Sequence, residues 1–367
     1  MKIKMHVLRD VTEPVDKRVA SLGYRTFVAN PDWKRNLISI TSVLWHPQRE
    51  RLICGLTSFD TDIMYEFDPK TSAFRGLNYP SVSEPFEIKI HRSLHLLPDG
   101  KILGATACLH REDQRLEAPG GKLFILDPET LKYDILGIPV PHDYIQTITV
   151  DDARGLVYGF TYPVFNFFVY DLKKRKVRRT DYMGSIPHIV ALADDGGYWA
   201  TWNNSKHNLF RYDPDSDTIR YYDHSLPCTA KSCGIMYAGA GPIDSMANGK
   251  DGYLYIGEAN GNLDRLDPKT GEVVDLGKPV GDLRRMAALE VGPDGRLYGI
   301  SGFINQCHLF AYDLKTNKFE DFGVIADPVS GKEIFIGHDI AFASKNKVFI
   351  GETDTQDRAS YLWECDL

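Results

Sequence analysis

Arg92, His188, Asp244 and His338 each fall seven residues before a polar turn residue, at Asp99, Asp195, Asp251 and Lys345. This shared register makes them equivalents of one another. Two imidazoles and a carboxylate, His188, Asp244 and His338, form a donor set suited to an open divalent-metal site holding Ca, Mg or Mn. Arg92, with Arg285 nine residues before the turn at Asp294, adds fixed positive charge that can grip a carboxylate with two hydrogen bonds. Together these groups suit proton abstraction from a carbon beside a carboxylate. A cation and the arginines would stabilise the developing negative charge, and His188 or His338 would take the proton. His91 and Tyr144 are the other ionisable candidates. Glycoside hydrolysis calls for two opposed carboxylates, and only Asp244 stands out in this row, so elimination is favoured.

The elements that must position these residues are set by a seven-fold echo. A strand closing on aspartate recurs as MYEFDPKT, KLFILDPET, FFVYDLKK, NLFRYDPDS, NLDRLDPKT, HLFAYDLKT and YLWECDL, ending at Asp68, Asp127, Asp171, Asp213, Asp267, Asp313 and Asp366. The aspartates lie 42 to 59 residues apart. That period suits one four-stranded blade of a β-propeller and is too long for leucine-rich or ankyrin repeats. Within each unit apolar and polar residues alternate with period two, and Gly, Asp, Asn and Pro cluster between the runs. The fold expected is all-β, a seven-bladed β-propeller of four-stranded antiparallel blades, forming a single domain over 1–367. The last repeat stops at its third strand, so KIKMHVLRDV near the N-terminus is expected to supply the fourth and close the ring. The stretch from Thr12 to Asn36 is expected to link across one face.

The repeat lets one blade serve as a control for another. Five residues before the turns stand Leu94, Val190, Met246, Leu289 and Ile340, and nine before stand Ile90, Ile186, Pro242, Arg285 and Ile336. These rows are apolar except at Arg285. The row between them reads Arg92, His188, Asp244, Ala287 and His338. A polar ring flanked by apolar rows costs several kcal/mol per buried group unless the groups meet one another, water or a ligand. Mutual pairing is one solution and a functional site another. Loops on the same face add Tyr162, Trp202, Asn204, Glu258 and Asn305 as substrate-binding candidates, along with His110 and Asp354. Tyr162, Phe165, Trp202 and Tyr237 suit either sugar stacking or inter-blade packing, and the asparagines also suit turns. The Gly- and Ala-rich insert from Leu226 to Ile243 is expected to lie over the site.

A net charge of -7 without a basic run argues against nucleic acid as a partner. No apolar run reaches membrane length and no signal-peptide core is apparent, so a cytoplasmic protein without membrane contact is expected. Six cysteines, Cys54, Cys108, Cys228, Cys233, Cys307 and Cys365, show no paired framework and read as free thiols.

The stretch from Ile186, IPHIVALADDGGYWATWNNSKHNLFRYDPDSDTIRYY, and that from Pro242, PIDSMANGKDGYLYIGEANGNLDRLDPKTGEVVDLG, resemble blades of the seven-bladed propeller lyases. That group includes virginiamycin B lyase, oligogalacturonate lyases and L-rhamnose-glucuronate lyases. The resemblance implies elimination of a C–O bond, often with a divalent cation and a His or Tyr base, and places His188 and His338 where such enzymes carry functional histidines. The function expected is therefore a carbon–oxygen lyase, acting by β-elimination on a small anionic oligosaccharide that contains uronic acid. The alternatives are a metal-dependent sugar lactonase or hydrolase on a propeller, and a non-catalytic binding scaffold. Neither WD nor kelch signatures are evident.

Overall fold

The computed structural model describes residues 1–9, 24–59, 62–108, 112–237, 239–352 and 360–367. They form a seven-bladed β-propeller of antiparallel four-stranded blades. The first blade runs Ile38–His46, Arg51–Ser58, Met64–Asp68 and Ala73–Gly76 from the axis outward, and the same order repeats in the others. The fourth blade departs from the pattern. Its three outer strands are Tyr198–Trp202, Asn208–Asp213 and Thr218–Tyr221, and its innermost segment is reduced to a bridge between Leu192 and Tyr198.

The ring closes as its terminal sequences require. Lys2–Val7 pairs antiparallel with Tyr361–Asp366, Lys2 opposite Asp366 and Val7 opposite Tyr361, so the N-terminal strand completes the seventh blade. His6 and Glu364 meet at 2.7 Å across this seam, and Lys347 reaches Glu364 from the neighbouring strand. Tyr361–Asp366 is thereby paired on both sides, and Lys2–Val7 becomes the outer edge of the blade.

The repeated aspartate has a local cause. Asp313 Oδ1 accepts hydrogen bonds from Lys315 N at 2.8 Å and Thr316 N at 3.0 Å, and Asp213, Asp127 and Asp171 cap their turns the same way. A short acceptor at this point satisfies backbone donors that the strand has just released. Asp366, close to the last residue, instead pairs with Lys347 at 3.4 Å. Apolar side chains of facing blades fill the spaces between sheets, as where Tyr158, Phe167, Tyr198, Phe210 and Tyr212 pack together.

Tyr24–Val28 and Pro31–Asn36 are short helices within the expected linking segment, whose residues 12–23 lie outside the described residues. Among the described residues no helix is long and apolar enough to cross a membrane. All six cysteines are free.

Candidate functional site

Arg92 and His188 lie in extended segments beside the innermost strands, and Asp244 and His338 at β-bulges in them; with Arg285 these side chains converge at the axis from five blades. Arg285 holds Asp244 with Nε on Oδ2 at 2.6 Å and Nη2 on Oδ1 at 2.9 Å. Arg92 reaches the same residue through Nη1, at 3.1 Å to the backbone oxygen and 3.4 Å to Oδ1. The Asp244 side chain is fully buried and that of Arg92 is 1 % exposed. Burial alone would raise the Asp244 pKa, but the two guanidiniums beside it hold the carboxyl well below the usual range. For Arg92 burial wins, and its pKa falls below the ordinary arginine value. Both arginines sit at positive φ, 48° for Arg92 and 71° for Arg285. Such backbone costs of order 1–3 kcal/mol per residue and persists only where surrounding contacts enforce it.

The three histidines of the cluster are buried and neutral. His338 Nδ1 lies 2.7 Å from the Thr41 carbonyl and His91 Nδ1 lies 2.6 Å from the Gln146 carbonyl. A carbonyl only accepts, so in both rings Nδ1 carries the proton and Nε2 the lone pair. The 3.3 Å approach of Arg92 Nε to His338 Nδ1 is then a contact between two donors and not a hydrogen bond. His91 stands 4.8 Å from His338 and 5.9 Å from His188, centroid to centroid. Burial, reinforced by Arg92, pulls the His188 pKa down to about 3, and burial carries His91 and His338 well below the ordinary value. The Tyr237 hydroxyl lies 3.4 Å from His188 Nε2, and as a hydroxyl it can donate to that nitrogen or accept from it. Among the described residues, His188 Nδ1 and Arg92 Nη2 are buried without a hydrogen-bond partner.

The metal expectation does not fit this geometry. Both Asp244 oxygens are taken by Arg285, and two guanidiniums beside the carboxylate would repel a cation at the set His188, Asp244 and His338. Among the described residues no group of three or more His, Cys, Asp or Glu side chains is arranged to hold a metal ion.

The remaining expected residues divide. Tyr144 and Tyr162 face each other at 5.0 Å, Tyr162 meets Tyr237 edge-on at 5.6 Å, and Tyr237 meets His188 at 5.7 Å. These rings form a continuous aromatic path to the cluster. Trp202 instead packs on Tyr221 of an outer strand at 4.7 Å. Asn204 is exposed in a turn capped by Asn203, and Asn305 is exposed at positive φ with its N–H on Phe335 O. Both fit the turn reading. Glu258 is buried beneath Cys228, whose N–H donates to Oε1 at 3.4 Å, and no hydrogen bond or ion pair among the described residues joins it to the Arg92–Asp244 cluster. His110 and Asp354 lie outside the described residues.

Three further ionisable groups are not singled out by the sequence pattern. Lys89 is buried beside His91, and Asp339 and Glu290 adjoin the axis with pKa values raised by burial to about 6 and about 8. The signal for Asp339 was its adjacency to His338. A one-residue step along a strand normally points away from the shared face, and the β-bulge between Gly337 and Asp339 interrupts that alternation here.

No protein-family model and no curated protein matches the chain. Solved structures do. The structure of U3-55K matches with a TM-score of 0.59 at 8 % identity, covering 90 % of this chain and 96 % of that one. The WD40 repeats of RRP9 match with a TM-score of 0.59 at 8 % identity, covering 90 % of this chain and 94 % of that one. Neither is named as a lyase, and at this identity the likeness establishes the β-propeller fold alone.

Proposed function

We propose that this chain is a binding propeller whose axial cluster takes a small anionic ligand, with no chemical step required of the protein. The observation that carries this reading is Arg92 Nη2, a buried guanidinium nitrogen with no partner among the described residues, next to the equally unpartnered His188 Nδ1. A guanidinium donor left unsatisfied in a buried site is costly, and an incoming carboxylate supplies the missing acceptor. The charge balance supports an anion as well. Arg92, Arg285 and Lys89 are gathered near one ionised Asp244, with Asp339 adjoining, and the histidines stay neutral. The likeness to a WD40-repeat propeller also fits a scaffold better than a lyase.

The β-elimination reading keeps one supporting observation, the Tyr237 and His188 pair at 3.4 Å, which sets a hydroxyl against a neutral imidazole beside Arg92. Calorimetric titration with galacturonate, its short oligomers and matched neutral sugars separates the readings. Binding of the anionic sugars alone, weakened at least tenfold in Arg92→Met and without new ultraviolet absorbance from an unsaturated uronate, is the expected result. Absorbance that grows with time and disappears in His188→Ala would establish the lyase instead. Equal affinity for neutral and anionic sugars would end the anion-binding reading.

A further inference from the structure

The fifth and seventh blades carry the same strand ending, Ile256-Gly257-Glu258 and Ile350-Gly351-Glu352, and the same cross-strand register. Ile350 stands opposite Trp363, and Ile256 stands opposite Asp264. In the seventh blade the buried glutamate is satisfied: Trp363 Nε1 donates to Glu352 Oε2 at 2.8 Å and Phe335 N donates to Oε1 at 3.3 Å. In the fifth blade the indole donor is replaced by a second carboxylate. Glu258 and Asp264 are both fully buried and lie within hydrogen-bond reach of each other, and apart from that mutual contact Glu258 Oε2 and both Asp264 oxygens have no hydrogen-bond donor among the described residues.

Two adjacent carboxylates cannot both stay ionised in a buried site without a compensating charge. One shared proton would join two of the three bare oxygens and leave the third unsatisfied. A divalent cation can take all three, bidentate from Asp264 and monodentate from Glu258, and cancels both charges. The Ser232 hydroxyl borders Glu258 as a neutral oxygen, and the short helix Thr229–Ser232 with Cys228 closes over the pair. We infer that Glu258 and Asp264 form a binding site for one hard divalent cation, capped by the Cys228–Ser232 turn and separate from the Arg92–Asp244 cluster.

The test uses the full chain, treated with chelator and then titrated separately with calcium, magnesium and manganese. Equilibrium dialysis and thermal unfolding are read for the wild type, Asp264→Asn and Glu258→Gln. One cation bound per chain, a midpoint that climbs with cation concentration, and loss of both effects in either variant are the expected results. Failure of all three cations to bind the wild type overturns the site, as does undiminished binding by both variants. A rise in the Asp264→Asn midpoint without cation, on a wild type that binds none, would assign the pair to a shared proton.

Discussion

Arg285 clamps both carboxylate oxygens of Asp244, at 2.6 and 2.9 Å, where the aspartate side chain has no solvent exposure. The pair joins the innermost strands of the fifth and sixth blades, and Arg92 ties the second blade to the same carboxylate. A charge so buried is held by its partners, and removing one leaves the others uncompensated.

Asp244→Asn is therefore expected to destabilise the fold by about 3–5 kcal/mol, because two buried guanidiniums lose their counter-charge. Urea unfolding of the variant and of the double change Asp244→Asn with Arg285→Met checks this. The double variant should recover part of the loss, and additive losses would refute the coupling.

The buried histidines contribute stability that is lost as pH falls from near neutrality. The folded pKa of His188 is about 3, and those of His91 and His338 lie well below their ordinary value. The unfolded rings titrate near pKa ~6.5, so below that pH the unfolded state binds more protons and stability rises with pH through this window. Each histidine contributes up to about 1.4 kcal/mol per pH unit. Denaturant titrations at successive pH values between pH ~7 and ~5 should show wild type losing more stability with acidity, or gaining less, than His188→Gln. Identical slopes in the two proteins would contradict neutral burial of His188.

A second acid response belongs to the ring seam. The His6 hydrogen bond, with Lys347 alongside, holds the Glu364 carboxyl down to about 2. A carboxyl depressed in the folded state contributes stability above its unfolded value, near ~4.3, and loses it as pH falls toward the folded one. Glu364→Gln should cost about 1–3 kcal/mol at neutral pH and remove the additional acid loss below pH ~4, read from thermal midpoints across that range.

The turn aspartates should matter modestly and locally. Asp313→Ala removes the acceptor for Lys315 N and Thr316 N and is expected to cost about 0.5–1.5 kcal/mol, with the fold unchanged by circular dichroism.

Much of the architecture was legible because its causes are local. Alternating strands, turn acceptors such as Asp127, Asp213 and Asp313, and the incomplete last repeat each act over a few residues. They carry the blade count and the pairing of Lys2–Val7 with Tyr361–Asp366. The register of Arg92, His188, Asp244 and His338 was legible too, since equivalent positions in equivalent strands must face one axis. The reduced innermost strand of the fourth blade was not, because a ladder fails through contacts with the neighbouring blade, as where His188 N donates to Ile243 O.

What the chain determines by itself is the number of blades and which side chains line the axis, because both follow from periodicity. The tertiary structure alone decided how those side chains pair. Asp244 could have met a metal or an arginine, and only the approach of Arg285 across the blade boundary commits it to a guanidinium. Glu258 and Glu352 end the same Ile-Gly-Glu motif, yet one meets Asp264 and the other Trp363. Burial makes such encounters strong, and a partner reached through folding lies far off in sequence.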